Sequence, residues 1–368
     1  MCRIDLPFAV IYLLAFICLS RPAATQQPSN SDAPLSPDQI SQLQAKAQAG
    51  DPGAQISLGK AYEAGSGVAQ SDAQAVRWYR AAADQGNAEA QDCLGFMYRL
   101  GRGVAEDKSE AVRWYKKAAK QKNAAAMFNL GTAYYNGDGV GIDDVAASAW
   151  FLLAQSSGSQ PANDAVKRMD AEARTLQAEA LEKIGDMYEK GDDLPQSYPD
   201  AAAWYRKAAE HGAEPVGLVK LASLLMQGRS GPLDYTEVYG LCEKAAKLGY
   251  APGSYCVGVL YHQGFGVERD PSRAAKWFLE SAGEGYALAT LRLGEMYWKG
   301  DGVKQDNVSA YEFISLASTS DLPDAQRDKE RLEKELTPKE IQKGKLKAIQ
   351  WAREHQPLVL KGKPPSAN

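Results

Sequence analysis

The sequence predicts an all-α solenoid of seven helix–turn–helix units, and three spacings carry that prediction. Glycines recur at fixed intervals: Gly59, Gly95 and Gly131 stand 36 residues apart, and Gly185, Ala222, Gly258 and Gly294 follow at 37, 36 and 36. Nineteen residues after each comes a large apolar residue: Trp78, Trp114, Trp150, Trp204, Leu241, Trp277 and Phe313. Seven residues before that aromatic stand Ser71, Asp107, Asp143, Ser197, Asp234, Asp270 and Asp306, whose short side-chain oxygens suit the open amides of a helix start. A unit of this size cannot bury its apolar face alone and needs copies on either side.

The stretch Ala88–Asn123 shows the logic of one unit. Leu94, Gly95 and Tyr98 share one face of a first helix, because residues three and four apart are helix neighbours. Gly101 to Val104 ends that helix. Asp107 caps a second one, whose inner face is Ala111, Trp114, Tyr115, Ala118 and Ala119. Three residues before each aromatic stands Ala75, Ala111, Ala147, Ala201, Val238, Ala274 or Ala310, a small residue that lets two helices close up.

The motifs resemble those of the Sel1-like repeat family, relatives of the tetratricopeptide repeats. The family pattern LGxxYxxGxGV, then a capped helix ending WYxKAA, is met by LGFMYRLGRGV at 94–104 with WYKKAA at 114–119, by LGTAYYNGDGV at 130–140, and by VGVLYHQGFGV at 257–267 with WFLESA at 277–282. The likeness covers about Pro52 to Gln356 and implies a right-handed superhelical solenoid. The fifth unit departs most, with Ala222 for the glycine, Leu241 for the tryptophan and GRSGPL for the turn.

Taken in order, residues 1–25 read as a secretory signal peptide. An apolar core of about 13 residues is shorter than the roughly 20 a spanning helix needs. An uncleaved anchor is the alternative, since no small-x-small step precedes Gln26. Residues 26–36, rich in Gln, Ser, Pro and Asn, read as a disordered linker. Residues 37–160 hold a capping helix, announced by Ser36-Pro37-Asp38-Gln39, and repeats one to three. Eighteen extra residues before Gly185 place an inserted helix, or joint, at 161–180. Repeats four to seven fill 181–320. Two charged helices at 321–356, with a capping box Thr337–Glu340, close the array, and 357–368 reads as a disordered tail.

Composition excludes several classes. The net charge is only −4, and no basic stripe carries interleaved aromatics, which argues against nucleic acid as partner. His211, His262 and His355 lie far apart and form no metal spacing. Ser57 and Lys60 match an SxxK pattern, but Gly59 between them is the repeat glycine and no partner motif follows. Asn136–Gly139 with Asp143 and Asp144 is a turn and an N-cap before it is a calcium loop. No cofactor motif is present. Cys93 and Cys256 share a first-helix column whose other members are largely polar, so both are expected to be partly exposed. Cys242 falls in the column of Tyr79, Tyr115 and Tyr205 and is expected to be buried. A Cys242–Cys256 bridge is left open, because the regular cysteine pair of disulfide-stapled relatives is lacking.

Resemblance to the tetratricopeptide arrays implies a ligand groove lined by the first helices, at positions six and three before the glycine and one and four after it. Carried over, this face presents Val219, Met226, Tyr255, Val259, His262, Leu291, Glu295 and Trp298, with Tyr255 and Trp298 as anchors. Units one to three add Ile56, Phe96, Arg99, Phe128 and Tyr135, and unit four the acidic run Glu179, Glu182, Asp186 and Glu189. The expectation is an exported, non-catalytic scaffold of the bacterial envelope or exterior that holds a segment of another protein. The resemblance leaves two alternatives: a β-lactam-binding or -hydrolysing enzyme, as among some cysteine-rich relatives, and a structural spacer.

Overall fold

The computed structural model describes residues 35–170, 174–212 and 215–355. The expectations for the signal peptide, for most of the linker and for the tail lie outside them. Among the described residues there are eighteen helices and no strand. The chain divides into two compact units, unit 1 ending at Ser197 and unit 2 beginning at Tyr198.

Unit 1 contains α1 (Pro37–Gln48), α2 (Pro52–Ala64), α3 (Asp72–Asp84), α4 (Ala88–Leu100), α5 (Lys108–Ala119), α6 (Ala124–Asn136), α7 (Asp144–Ser156), α8 (Gln160–Asp170) and α9 (Arg174–Lys190). Each helix from α1 to α7 packs on the next, and α9 packs against α7. The extra residues before Gly185 thus build a separate short helix, α8, and lengthen the first helix of the fourth repeat. Unit 2 contains α10 (Tyr198–Glu210), α11 (Pro215–Met226), α12 (Tyr235–Lys247), α13 (Ala251–Gln263), α14 (Pro271–Gly283), α15 (Ala287–Lys299), α16 (Asn307–Ala317), α17 (Pro323–Glu335) and α18 (Pro338–Glu354). Here α17 and α18 both pack on α16.

The helix starts follow the capping rule. Ser71, Asp107, Asp143, Asp234, Asp270 and Asp306 each accept from a first-turn amide of the second helix. Asp51, Asn87 and Asn123 do the same for the first helices α2, α4 and α6. Reciprocal capping boxes form at Ser36–Gln39 and Thr337–Glu340.

Two glycine columns set the packing. The first-helix glycine lies against the side chain twenty residues on. A Cβ at Gly59, Gly131 or Gly258 would stand 2.6 Å from a ring carbon of Tyr79, Phe151 or Phe278, and one at Gly95 would stand 2.7 Å from Tyr115. The second glycine of the turn lies against the preceding repeat. A Cβ at Gly103, Gly139 or Gly302 would fall on the backbone of Asp72, Lys108 or Pro271, the first residue of the previous second helix. Gly67 likewise meets a backbone carbonyl, that of Leu35, just before α1 begins.

Beside these glycines a residue pair recurs along the turn edge. In unit 1 it is ionic, Asp72 with Arg102 and Lys108 with Asp138, each at 2.7 Å. In unit 2 it is aromatic: Arg229 donates to the Tyr198 hydroxyl at 3.1 Å, and Tyr235 stacks on Phe265 at 4.8 Å.

The cysteines depart from expectation. Cys93 is buried, 2% exposed, in the apolar cluster of Tyr79, Leu94 and Met97, although Ser57 and Arg292 of the same column are exposed. Cys256, 9% exposed, is buried as well and is bonded to the fully buried Cys242.

Gly103→Ala adds both a left-handed strain (φ 67°) and a backbone clash. We expect it to lower unfolding stability by about 3 kcal/mol. Gly141 has nothing within 4 Å of its Cβ position, so Gly141→Ala should stay within about 1 kcal/mol of wild type. Urea midpoints of the two variants check both statements.

A candidate partner-binding face on the first helices

In unit 1 the predicted face follows α2, α4 and α6. Ile56 and Phe96 are buried and join the apolar cluster between the first and second repeats. Phe128 is half-buried and its ring lies 5.4 Å from Phe151 of its own repeat. Tyr135 is half-buried near the end of α6. The Arg99 guanidinium lies over the Phe96 ring at 5.2 Å, and its Nε is buried without a hydrogen-bond partner among the described residues.

One residue of this face was passed over in the sequence. Asp92 stands three before Gly95, in the column of Ile56, Phe128, Val219, Tyr255 and Leu291. It is 5% exposed and accepts from the Asn129 side-chain amide at 2.9 Å, across the junction of the second and third repeats. Burial pushes its carboxyl up to about 6. The Asn129 hydrogen bond opposes the rise, the Glu89 carboxylate adds to it and Arg99 lowers it. The signal was available, since an acid in a mostly apolar or aromatic column is a mismatch with local packing.

In unit 2 the face follows α11, α13 and α15. Val219 and Met226 are half-buried on α11. Tyr255 is half-buried, with its ring 5.6 Å from Phe278 and 5.2 Å from Tyr286, and Val259 packs on the same cluster. His262 Nε2 lies 2.8 Å from Asp301, whose other oxygen is 3.6 Å from Arg269. Arg292 and Glu295 form an ion pair at 2.9 Å on α15.

Trp298 and Leu291 serve another purpose. Trp298 Nε1 donates to Glu335 of α17 at 2.9 Å, Arg331 lies 5.8 Å from its ring centroid, and both residues pack in the cluster holding Leu332 and Leu336. The α17 helix packs beside what a partner was expected to meet: Leu291 is buried, and Trp298 is half-buried, as Tyr255 is. The half-buried residues of the unit 2 face are Val219, Met226, Tyr255, Val259, His262, Glu295 and Trp298.

The chemical motifs dissolve into the repeat. Ser57 donates to the Gly53 carbonyl at 2.9 Å, while Lys60 pairs with Glu89. Asp138 pairs with Lys108, and Asp143 caps α7 and pairs with Lys183. Among the described residues no group of three His, Cys, Asp or Glu side chains is placed to hold a metal ion.

Helical hairpins repeated in tandem define a helical-repeat protein. The Sel1 repeat model matches residues 52–87, 88–123, 124–159, 178–212, 215–250, 254–286 and 287–322, and the chain belongs to the Sel1 repeat family. Such proteins generally mediate protein–protein interaction, and the family is typically a non-catalytic scaffold. Among solved structures, a Sel1 repeat protein from Oxalobacter formigenes is similar at 28% identity and a TM-score of 0.40, over 80% of each chain. A protective antigen present in uropathogenic Escherichia coli strains, displaying an SLR fold, is similar at 25% identity and a TM-score of 0.35, over 89% of this chain and 91% of that one. Chitin synthase regulatory factor 3 of Schizosaccharomyces pombe is 34% identical over 108 residues, which are 28% of this chain and 11% of that protein.

Asp92 gives this face a pH signature. Its folded pKa lies above the ordinary 3.8, so the protonated form is favoured by folding, and that stabilisation fades as pH rises from about 4 through about 6. Asp92→Asn keeps the shape and removes the buried charge. At pH 7.5 it should raise stability by about 2 kcal/mol, and at pH 4 it should change little. Urea titrations of both proteins at the two pH values check this, and an equal gain at both would refute it.

Proposed function

We propose that this chain is an exported, non-catalytic scaffold that holds a segment of another protein on its first-helix face. The observation that carries the reading is the half-buried apolar patch on α11 and α13, formed by Val219, Met226, Tyr255 and Val259. Side chains of this kind dominate binding energy when a partner desolvates them.

Export is supported by the Cys242–Cys256 bond, since disulfides persist in oxidising compartments. No helix of the described residues is long and apolar enough to cross a membrane. The fungal relative is named a regulatory factor, in keeping with an adaptor that acts through other proteins. An envelope setting belongs to the same proposal. Against β-lactam chemistry stands the Ser57 hydroxyl, which is spent on its own helix.

The test is capture of envelope proteins on the immobilised chain, wild type beside Tyr255→Ala/Met226→Ala. A protein retained by wild type and lost by the variant, at unchanged melting temperature, is the expected result. Equal retention would move the site off this face, and retention of nothing by either would favour a spacer. Nitrocefin turnover by the purified chain would overturn the non-catalytic assignment.

A further inference from the structure

The helix α18 carries an apolar and cationic face that no other element covers among the described residues. Its inner side is fixed on α16: a Cβ at Gly344 would stand 2.7 Å from a ring carbon of Tyr311, and the Trp351 ring lies 5.1 Å from that of Phe313. Gly344 and Ala348 are buried there. At about 3.6 residues per turn, Lys339, Lys343, Leu346, Ile349 and Arg353 fall on the opposite side. All five are exposed, Leu346 at 58% and Ile349 at 50%. With the inner side held, α18 cannot turn these two aliphatic side chains inward.

The outer face is ordered. Lys339, Leu346 and Arg353 follow one another at seven-residue steps, so they form one line with a cation at each end, and Lys343 and Ile349 flank its centre. These cations are not engaged elsewhere. Lys339, Lys343, Lys345 and Arg353 form no ion pair among the described residues, whereas Lys347 on the inner side pairs with Glu312 at 3.5 Å and donates to Ser309 at 2.9 Å. Of the two acids of α18, Glu340 is held in the cap with Thr337, and Glu354 accepts from Gln350 at 2.8 Å. The sequence beyond the helix, 356–368, adds Lys361 and Lys363 beside Leu358, Val359 and Leu360, and no Asp or Glu.

We infer that the outer face of α18 docks on an anionic phospholipid surface, along which the helix lies without crossing. Leu346 and Ile349 reach past the head groups, while the long stems of Lys339, Lys343 and Arg353 carry their charges to the phosphates around them. Charge and shape select this occupant. A second α18 would set its five basic residues against five more, with only two acids on each helix to oppose them. A partner helix settles in a groove, and Leu346 and Ile349 stand on an exposed ridge. A broad negative surface meets both features. The docking is independent of what the first-helix face binds.

Vesicle co-sedimentation of the full chain is the test, with phosphatidylglycerol and phosphatidylcholine in equal parts beside phosphatidylcholine alone. At low salt the wild type should bind the anionic vesicles at least about tenfold more tightly. Raising NaCl to about 0.5 M, where the screening length falls to a few ångström, should abolish the preference. Lys339→Glu/Lys343→Glu/Arg353→Glu should lose it at low salt, and Leu346→Gln/Ile349→Gln should weaken binding to the anionic vesicles by roughly tenfold. Both should melt as the wild type does, since the five side chains are exposed. Tyr255→Ala/Met226→Ala should keep the preference. Any attraction of the N-terminal apolar stretch for lipid is common to all these proteins and cancels in the comparison. Equal binding to both kinds of vesicle, or variants of α18 that bind as the wild type does, would overturn the inference. A wild-type dimer that Leu346→Gln/Ile349→Gln dissolves would give the face to a second copy, and binding to poly-glutamate but not to anionic vesicles would give it to an acidic protein; either result also overturns it.

Discussion

The array depends on the turn glycine that touches the backbone of the preceding repeat. Gly103 on Asp72, Gly139 on Lys108, Gly266 on Tyr235 and Gly302 on Pro271 are the same contact repeated along the chain, and Gly67 on Leu35 is akin to it. It requires a left-handed backbone and leaves no room for a Cβ, so only glycine satisfies both demands. The contact sets how far one hairpin advances on the last. The rest follows from that spacing: Arg102 comes within reach of Asp72 and Glu63, and the Gln91 side chain reaches the Ala83 carbonyl at 3.2 Å.

Inside a repeat the same economy holds at a different point. The first-helix glycine admits a ring from the second helix, and Tyr79, Tyr115 and Phe278 are buried as a result. Tyr79 finds Glu63 for its hydroxyl at 2.7 Å, which keeps a buried polar atom satisfied. Each repeat thus brings one close contact of its own and lends one to its neighbour, and it is stable only in company.

What was legible in the sequence is what the fold demands of one residue type in a column. The caps at Asp107 and Asp270 and the repeat glycines belong there. Three features were not legible, for separate reasons. Asp92 sits in a column where burial and groove exposure alternate, and its meeting with Asn129 belongs to a neighbouring helix. Trp298 reads alike whether it awaits a partner or meets a cap, and α17 carries no turn motif to betray that it fills that place. Cys242 and Cys256 lie 14 residues apart in columns that elsewhere do different work, so their pairing needs the packing of α12 on α13 to be known.

The turn edge shows one register met by two chemistries. Asp72–Arg102 and Lys108–Asp138 are partly exposed ion pairs, weakened as added salt shortens the screening length below the roughly 8 Å of physiological solution. Tyr235 on Phe265 is an apolar contact, which strongly hydrated salts such as sulfate tighten. A strongly hydrated salt therefore works on the two edges in opposite senses. No single salinity holds both at their firmest, and a change of medium redistributes firmness along the chain without breaking a bond.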